Sequence, residues 1–470
     1  MTFDSLTFAL FIVALWGLVG LSRGWRVRKL ELLAASYLFY AAWNPVFIWL
    51  LVVSTVVDWN AAKRLHASEN PHRRKAWLLL SVVVNLGLLS WFKYADFFIA
   101  NYNQFASWLG LAAFQAPLID VVLPIGISFY TFQTLSYTFD VYRRRITPGD
   151  DFADYALYVS FFPQLVAGPI VRYEQFAGQL ASPRHMTAAN LETGTALMVA
   201  GLFLKTVLAD SLFAPVVDSG FAAADSIGTL AAWSSITAFS GQIYCDFAGY
   251  SLCAIGAARV FGFVLPKNFH APYAAVGFSD FWRRWHITLS TWIRDYLYIS
   301  LGGSHHGRAR TLGNLIVAMG LGGLWHGAAW TFVLWGLAHG LWLVIEHALR
   351  PLGNHLTWLG NRLMQPVWMA VTFVVVTLTW VLFRAENLPQ AGAFYRALLT
   401  ASESAMTTAG WLALAAMAGL LAWHVAIRRI EIEGVYTRLA VPARGVMIGL
   451  LLTAVLLSPG ENRAFIYFQF

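Results

Sequence analysis

Two histidines in this chain follow a tryptophan and lie in or beside strongly apolar sequence. The first ends the run Phe281-Trp-Arg-Arg-Trp-His286, and the second ends the run Gly322-Gly-Leu-Trp-His326. A histidine at membrane depth costs free energy, so its side chain there is expected to form a hydrogen bond or to take part in chemistry. Two such histidines, with arginines beside the first, indicate a protected proton-transfer site that also meets an anionic ligand.

The segment around the first histidine is predicted to form one helix from Ser279 to Ser300. At 3.6 residues per turn, four polar residues share one face: Arg283, His286, Ser290 and Arg294. The opposite face carries the apolar residues Trp285, Leu289, Trp292 and Tyr296. The polar face is expected to line a cavity. The same pattern also fits an anchor at the membrane interface, in which His286 is hydrogen-bonded but has no part in chemistry.

The second histidine has glycines on both sides. Gly322, Gly323 and Gly327 permit close backbone approach around His326. A buried neutral imidazole can take a proton from a hydroxyl group, which makes His326 a candidate general base. A hydrogen-bonded core histidine is the alternative, because the chain embeds a further histidine at His339.

Other catalytic patterns are missing from the sequence. His305 and His306 are adjacent and therefore point in different directions, and no His-Glu-x-x-His, Cys-x-x-Cys or Gly-x-Ser-x-Gly arrangement occurs. Neither a P-loop nor a dinucleotide fingerprint is present. We therefore expect no metal and no bound cofactor. Cys245 and Cys253 are expected to be core packing residues.

The composition is that of a membrane protein. The chain has 470 residues, of which 58% are hydrophobic and 12% are charged, whereas a soluble domain carries about 25% charged residues. Long apolar runs indicate about ten to twelve membrane-embedded helices, some of them short or re-entrant, because a helix needs roughly 20 apolar residues to cross the bilayer. The fold class is therefore predicted to be an all-α polytopic membrane protein, with residues 1–470 forming a single integral-membrane domain.

The net charge of +8 is concentrated in short loops. Basic residues cluster at Arg23–Lys29, Lys63–Lys75 and Arg143–Arg145. The positive-inside rule places these three segments in the cytoplasm and the chain start outside. Nucleic-acid binding is the other common use of a basic surplus, but arginines held between membrane spans fit it poorly.

Prolines, glycines and embedded charges interrupt the apolar sequence. The segments 123–127 and 162–169 contain both proline and glycine, and they are predicted to be broken helices that line the protein interior. Six ionisable residues lie in apolar surroundings: Asp58, Lys93, Asp140, Lys205, Asp210 and Asp246. Mutual pairing between helices is the simpler explanation for them, and a functional role is the alternative.

Several motifs occur in a fixed order along the chain. They are Leu123-Pro-Ile-Gly-Ile-Ser-Phe-Tyr-Thr-Phe132, Phe162-Pro163 with Ala167-Gly-Pro169, Asp246-Phe with Gly249-Tyr-Ser251, Phe281 to Trp292, Arg294 to Gly303, Leu321 to Gly327, Phe383-Arg-Ala-Glu386 and Phe465-Ile-Tyr-Phe468. In this ordered set the chain resembles the membrane-bound O-acyltransferase (MBOAT) family, specifically its bacterial alginate O-acetyltransferase-like branch.

The resemblance implies a fold and an activity. The implied fold is a ring of tilted transmembrane and re-entrant helices around a central tunnel. The implied enzyme moves an acetyl group from a cytoplasmic thioester, expected to be acetyl-CoA, across the bacterial inner membrane to O-acetylate an exopolysaccharide such as alginate or cellulose. The implied partners are a periplasmic acetyltransferase and the polysaccharide synthase machinery, besides the lipid bilayer.

The resemblance also suggests site residues. His326 matches the position usually taken as catalytic, and His286 matches the second histidine, which would orient the thioester or stabilise the developing oxyanion. The residues expected to bind the donor or substrate are Arg283, Arg284, Trp285, Ser290, Arg294, Trp325 and Asp246. Arg308 and Arg310 could also pair with donor phosphates, although anchoring at the membrane surface is an equal alternative for the arginines at 283, 284, 308 and 310.

Two other functions stay open at this stage. A carrier or flippase for acylated glycans would need alternating-access halves, but the chain shows no internal repeat. A non-catalytic membrane subunit that recruits an extracytoplasmic acetyltransferase is the other alternative. The segment Ser304-His305-His306 replaces an asparagine that often follows the glycine pair in relatives, which leaves the donor and the acceptor open.

Overall fold

The described part of the chain is mainly helical. The computed structural model describes residues 1–111, 115–166, 168–305, 307–355, 362–400, 405–458, 463 and 465–466. All regular secondary structure in these residues is helical. The chain divides into two compact units, a first unit of Met1–Thr195 with Ala254–Pro266 and a second unit of Ala196–Cys253 with Lys267–Phe470. The single domain expected over residues 1–470 stays a prediction.

The described residues of the first unit form a series of helices, some of which begin with a side-chain cap. They are Leu6–Leu21, Trp25–Ala41, Ile48–Ala67, Pro71–Leu89, Ala95–Trp108, Ile127–Tyr142, Phe152–Ser160, Phe162–Leu165 and Tyr173–Leu180. The Ser5 hydroxyl accepts the Phe8 N–H, and the Asn70 side chain accepts the His72 N–H. These bonds satisfy backbone donors that a helix start leaves without intrahelical partners.

A buried polar network joins three helices of the first unit. The Asp58 carboxylate accepts hydrogen bonds from the Ser81 hydroxyl and, at 2.8 Å, from the Asn85 side-chain amide. The Asn85 carbonyl accepts in turn from Ser54 at 2.6 Å and from Thr134 at 3.2 Å. The network satisfies polar groups that would otherwise be costly in an apolar interior.

The two segments predicted to be broken helices both lie at helix boundaries in the first unit. Gly126 has a φ of 77° and directly precedes the helix Ile127–Tyr142, while Phe162–Leu165 is a separate, fully buried helical turn. A Cβ on Gly126 would lie 2.5 Å from the Leu165 carbonyl oxygen, so the two broken segments touch. Only glycine combines this backbone conformation with this approach.

Ion pairs connect the basic segments of the first unit to acidic neighbours. Lys29 contacts Asp154 at 2.6 Å, and Lys63 contacts Asp150 at 2.7 Å. Arg144 contacts Glu69 at 2.6 Å, so the basic segment 143–145 lies beside the turn between the helices Ile48–Ala67 and Pro71–Leu89. Two of the three basic segments are therefore at the same end of this unit, as the predicted topology requires.

The rest of the chain contains longer helices and several short ones. They are Ala188–Leu202, Phe203–Phe213 (a π-helix), Ala214–Ala222, Thr229–Val260, Phe278–Trp282, Ile287–Trp292, Ile293–Tyr298 (a π-helix), Arg308–His326, Trp330–His355, Gln365–Arg384, Leu388–Leu399, Thr408–Ile427, Ile432–Arg438 and Val441–Leu457. Cys245 and Cys253 are buried, as their predicted packing role requires.

The prediction of one continuous helix from Ser279 to Ser300 is wrong. The first helical segment ends at Trp282, and the next begins at Ile287. Between them His286 adopts a φ of 40°, in the left-handed region that a helix cannot contain. A hydrogen bond from the Ile287 N–H to the Asn268 carbonyl, at 2.9 Å, replaces the helical pattern here. The predicted sharing of one helix face by four polar residues therefore fails.

Six helical segments in the described residues are long and apolar enough to cross a membrane. They are Pro45–Ala67, Pro71–Trp108, Ala188–Ala222, Trp330–Leu349, Gln365–Arg384 and Thr408–Ile427. Leu6–Leu21 and Val441–Leu457 are shorter apolar helices. The predicted polytopic, all-helical class is confirmed, and the larger number of embedded helices stays a prediction.

Candidate active site

His326 is placed by a tight pair of helices in the second unit. It is the last residue of the helix Arg308–His326, and the helix Trp330–His355 follows closely. The two helices touch through Gly323 and Gly336. Because these residues lack side chains, the two helices approach closely. The rings of His326 and Trp335 then meet edge to face, with their centroids 5.1 Å apart.

His286 is placed by the turn that interrupts the predicted helix. Its side chain is fully buried, and its Nδ1 lies 3.1 Å from the Asn268 Oδ1. A second backbone hydrogen bond links the two segments, from the His270 N–H to the Arg284 carbonyl at 3.0 Å. The segment containing Asn268 thus holds the turn in a conformation that costs roughly 1–2 kcal/mol for a residue other than glycine.

The structure brings the two histidines together. The centroids of the His286 and His326 rings are 6.5 Å apart, and His326 is only 3% exposed. Among the described residues, four aromatic side chains have ring centroids within 6.1 Å of one histidine or the other: Phe247, Trp325, Trp335 and Phe383. Trp325 touches both rings. Such surroundings exclude water and strengthen electrostatic interactions with a bound substrate.

The two predicted donor-binding arginines differ in their surroundings. Arg283 is exposed, and its Nε donates to the Ser279 carbonyl at 3.1 Å. Arg284 is nearly buried and donates from Nε to the Asp280 carboxylate at 3.0 Å. Asp280 also contacts the Arg428 guanidinium at 3.2 Å. Arg284 is therefore part of an internal ion cluster, whereas Arg283 is accessible to a ligand.

The Asp280 carboxyl has a pKa below its ordinary value. Burial raises this pKa, but the hydrogen bond from the Val276 N–H and the nearby Arg284 guanidinium lower it by more. The ionised carboxylate is therefore the stable form, and it connects the helix Phe278–Trp282 to the end of the helix Thr408–Ile427 through Arg428.

Three other predicted site residues lie near the interrupted helix. Trp285 is fully buried, with its ring 5.6 Å from Phe281. Ser290 is partly buried and donates to the Trp285 carbonyl at 3.1 Å. Arg294 has a side chain 60% exposed and pairs with Asp295. Within this set, the exposed guanidinium of Arg294 has the surroundings of a ligand-binding group, whereas Trp285 packs in the core.

Asp246 belongs to a buried ion cluster. The Lys205 ammonium contacts Asp246 at 2.6 Å and Asp210 at 2.9 Å. The Asp246 carboxylate also accepts the Ile466 N–H at 2.7 Å. The prediction that embedded charges pair with one another is confirmed for these three ionisable residues, and the same carboxylate fixes a residue near the chain end.

A polar cavity of about 210 Å³ lies beside this cluster. Its charged lining residues are Lys205, Asp210, Asp218, Asp246, Arg384 and Arg463. Gln242 also lines it, and its Oε1 has no hydrogen-bond partner among the described residues. Asp246 directly precedes Phe247, whose ring contacts His286. Arg384 directly follows Phe383, whose ring contacts His326. Both phenylalanines that contact the histidines thus adjoin cavity-lining residues along the chain.

No local sequence pattern identifies the residues that support the two histidines. Asn268 carried no signal, because it lies 18 residues from His286 in a segment without a recognised motif. Phe247 and Phe383 were part of the quoted motifs, but no local pattern predicted that their rings touch His286 and His326. Asn268 stands between Lys267 and Phe269, so only the cost of burying its amide could have drawn attention to it.

Together the fold and the site define a multi-pass helical membrane protein with a protected pair of histidines. Residues 91–383 match the model of the membrane-bound O-acyltransferase family. The chain belongs to this family and is an O-acyltransferase.

Several curated relatives carry related names. The chain is 42% identical over 402 residues to a probable alginate O-acetylase of Azotobacter vinelandii, covering 85% of this chain and 78% of that protein. It is 38% identical over 391 residues to a peptidoglycan O-acetyltransferase of Helicobacter pylori, covering 77% of this chain and 72% of the relative. A teichoic acid D-alanyltransferase of Bacillus subtilis is 26% identical over 278 residues, covering 57% and 69%.

Proposed function

We propose that this enzyme takes an acetyl group from cytoplasmic acetyl-CoA and transfers it across the bacterial inner membrane for the O-acetylation of an exopolysaccharide such as alginate or cellulose. The observation that carries the proposal is the pair of buried histidines, His286 and His326, whose ring centroids are 6.5 Å apart. Two relatives support an acetyl group as the transferred group, because they are named a probable alginate O-acetylase (42% identity) and a peptidoglycan O-acetyltransferase (38% identity).

In the proposed reaction His326 acts as the general base. It removes the proton of the acceptor hydroxyl while that oxygen attacks the thioester carbonyl carbon. The C–O bond forms, the C–S bond breaks, and the leaving thiolate takes the proton back from the His326 imidazolium. General bases typically contribute about 10²–10⁴-fold to a rate. His286 would orient the reacting groups or stabilise the oxyanion of the intermediate.

The donor and the acceptor are assigned to different groups. The exposed guanidiniums of Arg283 and Arg294 could pair with donor phosphates, since a guanidinium matches phosphate geometry. The hydroxyl-bearing acceptor is assigned to the 210 Å³ cavity, whose Gln242 Oε1 could accept its proton in a hydrogen bond. A periplasmic acetyltransferase partner, working with the polysaccharide synthase machinery, would then place the acetyl group on the polymer.

The test compares His326→Ala with His339→Gln. His339 is also fully buried in the second unit, but its Nε2 is hydrogen-bonded to Thr379 at 2.9 Å. His326→Ala should abolish acetyl-CoA turnover by the purified protein and acetylation of the secreted polymer in a complemented strain. His339→Gln should lower thermal stability and keep the chemistry. Normal acetylation by His326→Ala at an unchanged protein level would refute the assignment.

The same assay separates the two other functions. A carrier or flippase, and likewise a non-catalytic subunit, would show no acetyl-CoA turnover as the purified wild-type protein. The polymer is identified by comparing the acetyl content of each secreted polysaccharide between the wild-type strain and a strain that lacks this chain.

A further inference from the structure

Asn268 contacts His286 in a completely buried polar network. Its Oδ1 lies 3.1 Å from the His286 Nδ1 and accepts the Thr288 hydroxyl at 2.8 Å. Its side-chain amide donates to the Ser251 hydroxyl at 3.2 Å. Asn268 is 1% exposed, and His286 is fully buried. All four residues belong to the second unit.

The hydrogen-bond partners fix which end of the Asn268 amide faces His286. The Thr288 backbone N–H lies 3.4 Å from the same atom, and a backbone N–H can only donate. The atom that receives it must therefore be the carbonyl oxygen Oδ1, and the amide nitrogen must point to Ser251. The orientation follows from the network rather than from the positions of the two atoms alone.

This orientation determines the position of the proton on His286. A carbonyl oxygen only accepts hydrogen bonds, so the His286 Nδ1 must carry the hydrogen that it donates to Oδ1. A neutral imidazole has one N–H group, and its other nitrogen bears the lone pair. In neutral His286 the proton-accepting atom is consequently Nε2.

We propose that Asn268 is a positioning residue, which holds His286 in the form that accepts a proton or hydrogen bond at Nε2. The inference rests on the proposed function, in which His286 contacts the reacting groups. It also changes the role that His286 has in that function. In this form neutral His286 cannot donate to an oxyanion from Nε2, so it orients the acceptor by accepting a hydrogen bond from an O–H group other than the one whose proton His326 removes. It stabilises negative charge only after it has been protonated.

The backbone supports the same arrangement. The Ile287 N–H donates to the Asn268 carbonyl at 2.9 Å, on the residue that follows the left-handed His286. One residue therefore fixes both the backbone turn and the imidazole orientation. Orientation of a catalytic imidazole by a neighbouring acceptor is a general device, because the hydrogen bond at one ring nitrogen decides what the other can do.

In the part of the chain that the structure describes, three rings contact the imidazole of His286. Its ring neighbours are Phe247, Trp325 and His326, of which His326 is titratable. A carboxylate in place of the Asn268 amide would face the Nδ1–H directly. It would stabilise the imidazolium and raise the pH at which His286 releases its proton.

The decisive variant is Asn268→Asp, which keeps the size and the acceptor. It should keep substantial activity and move the acidic limb of the kcat/KM profile for acetyl-CoA to higher pH, by about one unit or more. Asn268→Ala removes the acceptor, and it should lower kcat by about tenfold or more with little change in the KM for acetyl-CoA. The rescue by Asp distinguishes a positioning role from packing alone.

Asn85→Asp is the matched control. Asn85 is equally buried in a polar network of the first unit, where it donates to Asp58 and accepts from Ser54. This variant should lower thermal stability without moving the pH profile. An unchanged pH profile in Asn268→Asp would overturn the proposal, and this test does not need the Ala variant to fold.

His286→Ala separates the two levels of inference. If His286→Ala keeps full turnover, the proposed role of His286 in the reaction is wrong. If His286→Ala is inactive while Asn268→Asp has the wild-type pH profile, the role of His286 stands and the role of Asn268 is wrong. Loss of activity in His286→Ala together with a shifted profile in Asn268→Asp supports both.

Discussion

Gly323 and Gly336 touch where two helices of the second unit pack together. A Cβ added to Gly323 would lie 3.0 Å from both the Cα and the N of Gly336, and it would also collide with the Phe332 carbonyl oxygen. These obstacles are backbone atoms, which cannot move aside as a flexible side chain can. The contact therefore sets the distance between the helix that ends at His326 and the helix that carries Trp335.

Gly323→Ala should force these helices apart. We expect a loss of about 1–3 kcal/mol in stability, as is typical of overpacking, and a lower turnover because the surroundings of His326 change. Gly313→Ala is the control, since it lies in the same helix and a Cβ there would meet nothing within 4 Å. The measurement is thermal unfolding in detergent together with acetyl-CoA turnover. Equal behaviour of the two variants would show that the contact is not tight in solution.

Arg283→Ala and Arg284→Ala should have different effects. Arg283 is exposed and proposed to bind donor phosphate, so its loss should raise the KM for acetyl-CoA about fivefold, the equivalent of roughly 1 kcal/mol. Arg284→Ala breaks the pair with Asp280 and should reduce stability while leaving the KM unchanged. A donor titration for both variants tests this difference. An unchanged KM in Arg283→Ala would assign this arginine to the lipid surface instead.

The basic segments of the first unit should be cytoplasmic. Cysteines at Glu69 and Arg144, which form an exposed ion pair, should both resist an impermeant thiol reagent added outside intact cells. A cysteine at Val46, which is 67% exposed in the turn before Ile48–Ala67, should react. The native Cys245 and Cys253 are buried and give little background. The opposite labelling pattern would invert the topology and the side of donor entry.

Asp280→Asn should destabilise the protein in a pH-dependent way. The pKa of Asp280 is below its ordinary value in the folded protein, so its contribution is complete above the unfolded pKa of about 3.9 and disappears as the pH falls through the folded pKa. The variant should lose about 2 kcal/mol at pH 7, and the difference from the wild type should shrink below pH 4. Thermal unfolding across this range measures it, with Asp225→Asn, an exposed carboxylate, as the control. A constant difference would contradict the ion-cluster role.

Gln242→Leu should affect the stability of the protein and the binding of the hydroxyl acceptor differently. The Gln242 Oε1 is a buried acceptor without a partner among the described residues, so removing it should be neutral or stabilising. If the cavity holds the acceptor, the amount of acetylated polymer should fall about tenfold, as expected when one hydrogen bond is lost. Acetyl-CoA hydrolysis by the purified protein should persist. Full polymer acetylation by this variant would exclude Gln242 from the acceptor site.

The sequence by itself determined the class of protein and the two histidines. Apolar runs long enough to cross a bilayer predict membrane helices, because a spanning backbone must satisfy its own hydrogen bonds. The cost of burying charge predicted that embedded ions pair, as Lys205 does with Asp210 and Asp246. These inferences depend on local composition or on the type of a single residue, and both are visible along the chain.

The tertiary structure decided how the site is arranged. The helix predicted through His286 is interrupted, because Asn268 binds the side chain and the following backbone from 18 residues away. Likewise, Arg284 forms an ion pair with Asp280, while its neighbour Arg283 is exposed. Helical periodicity describes only residues within the same helix, whereas the left-handed turn at His286 is stabilised by hydrogen bonds to a separate segment. Hydrogen bonds between residues that are distant in the sequence leave no periodic pattern in it.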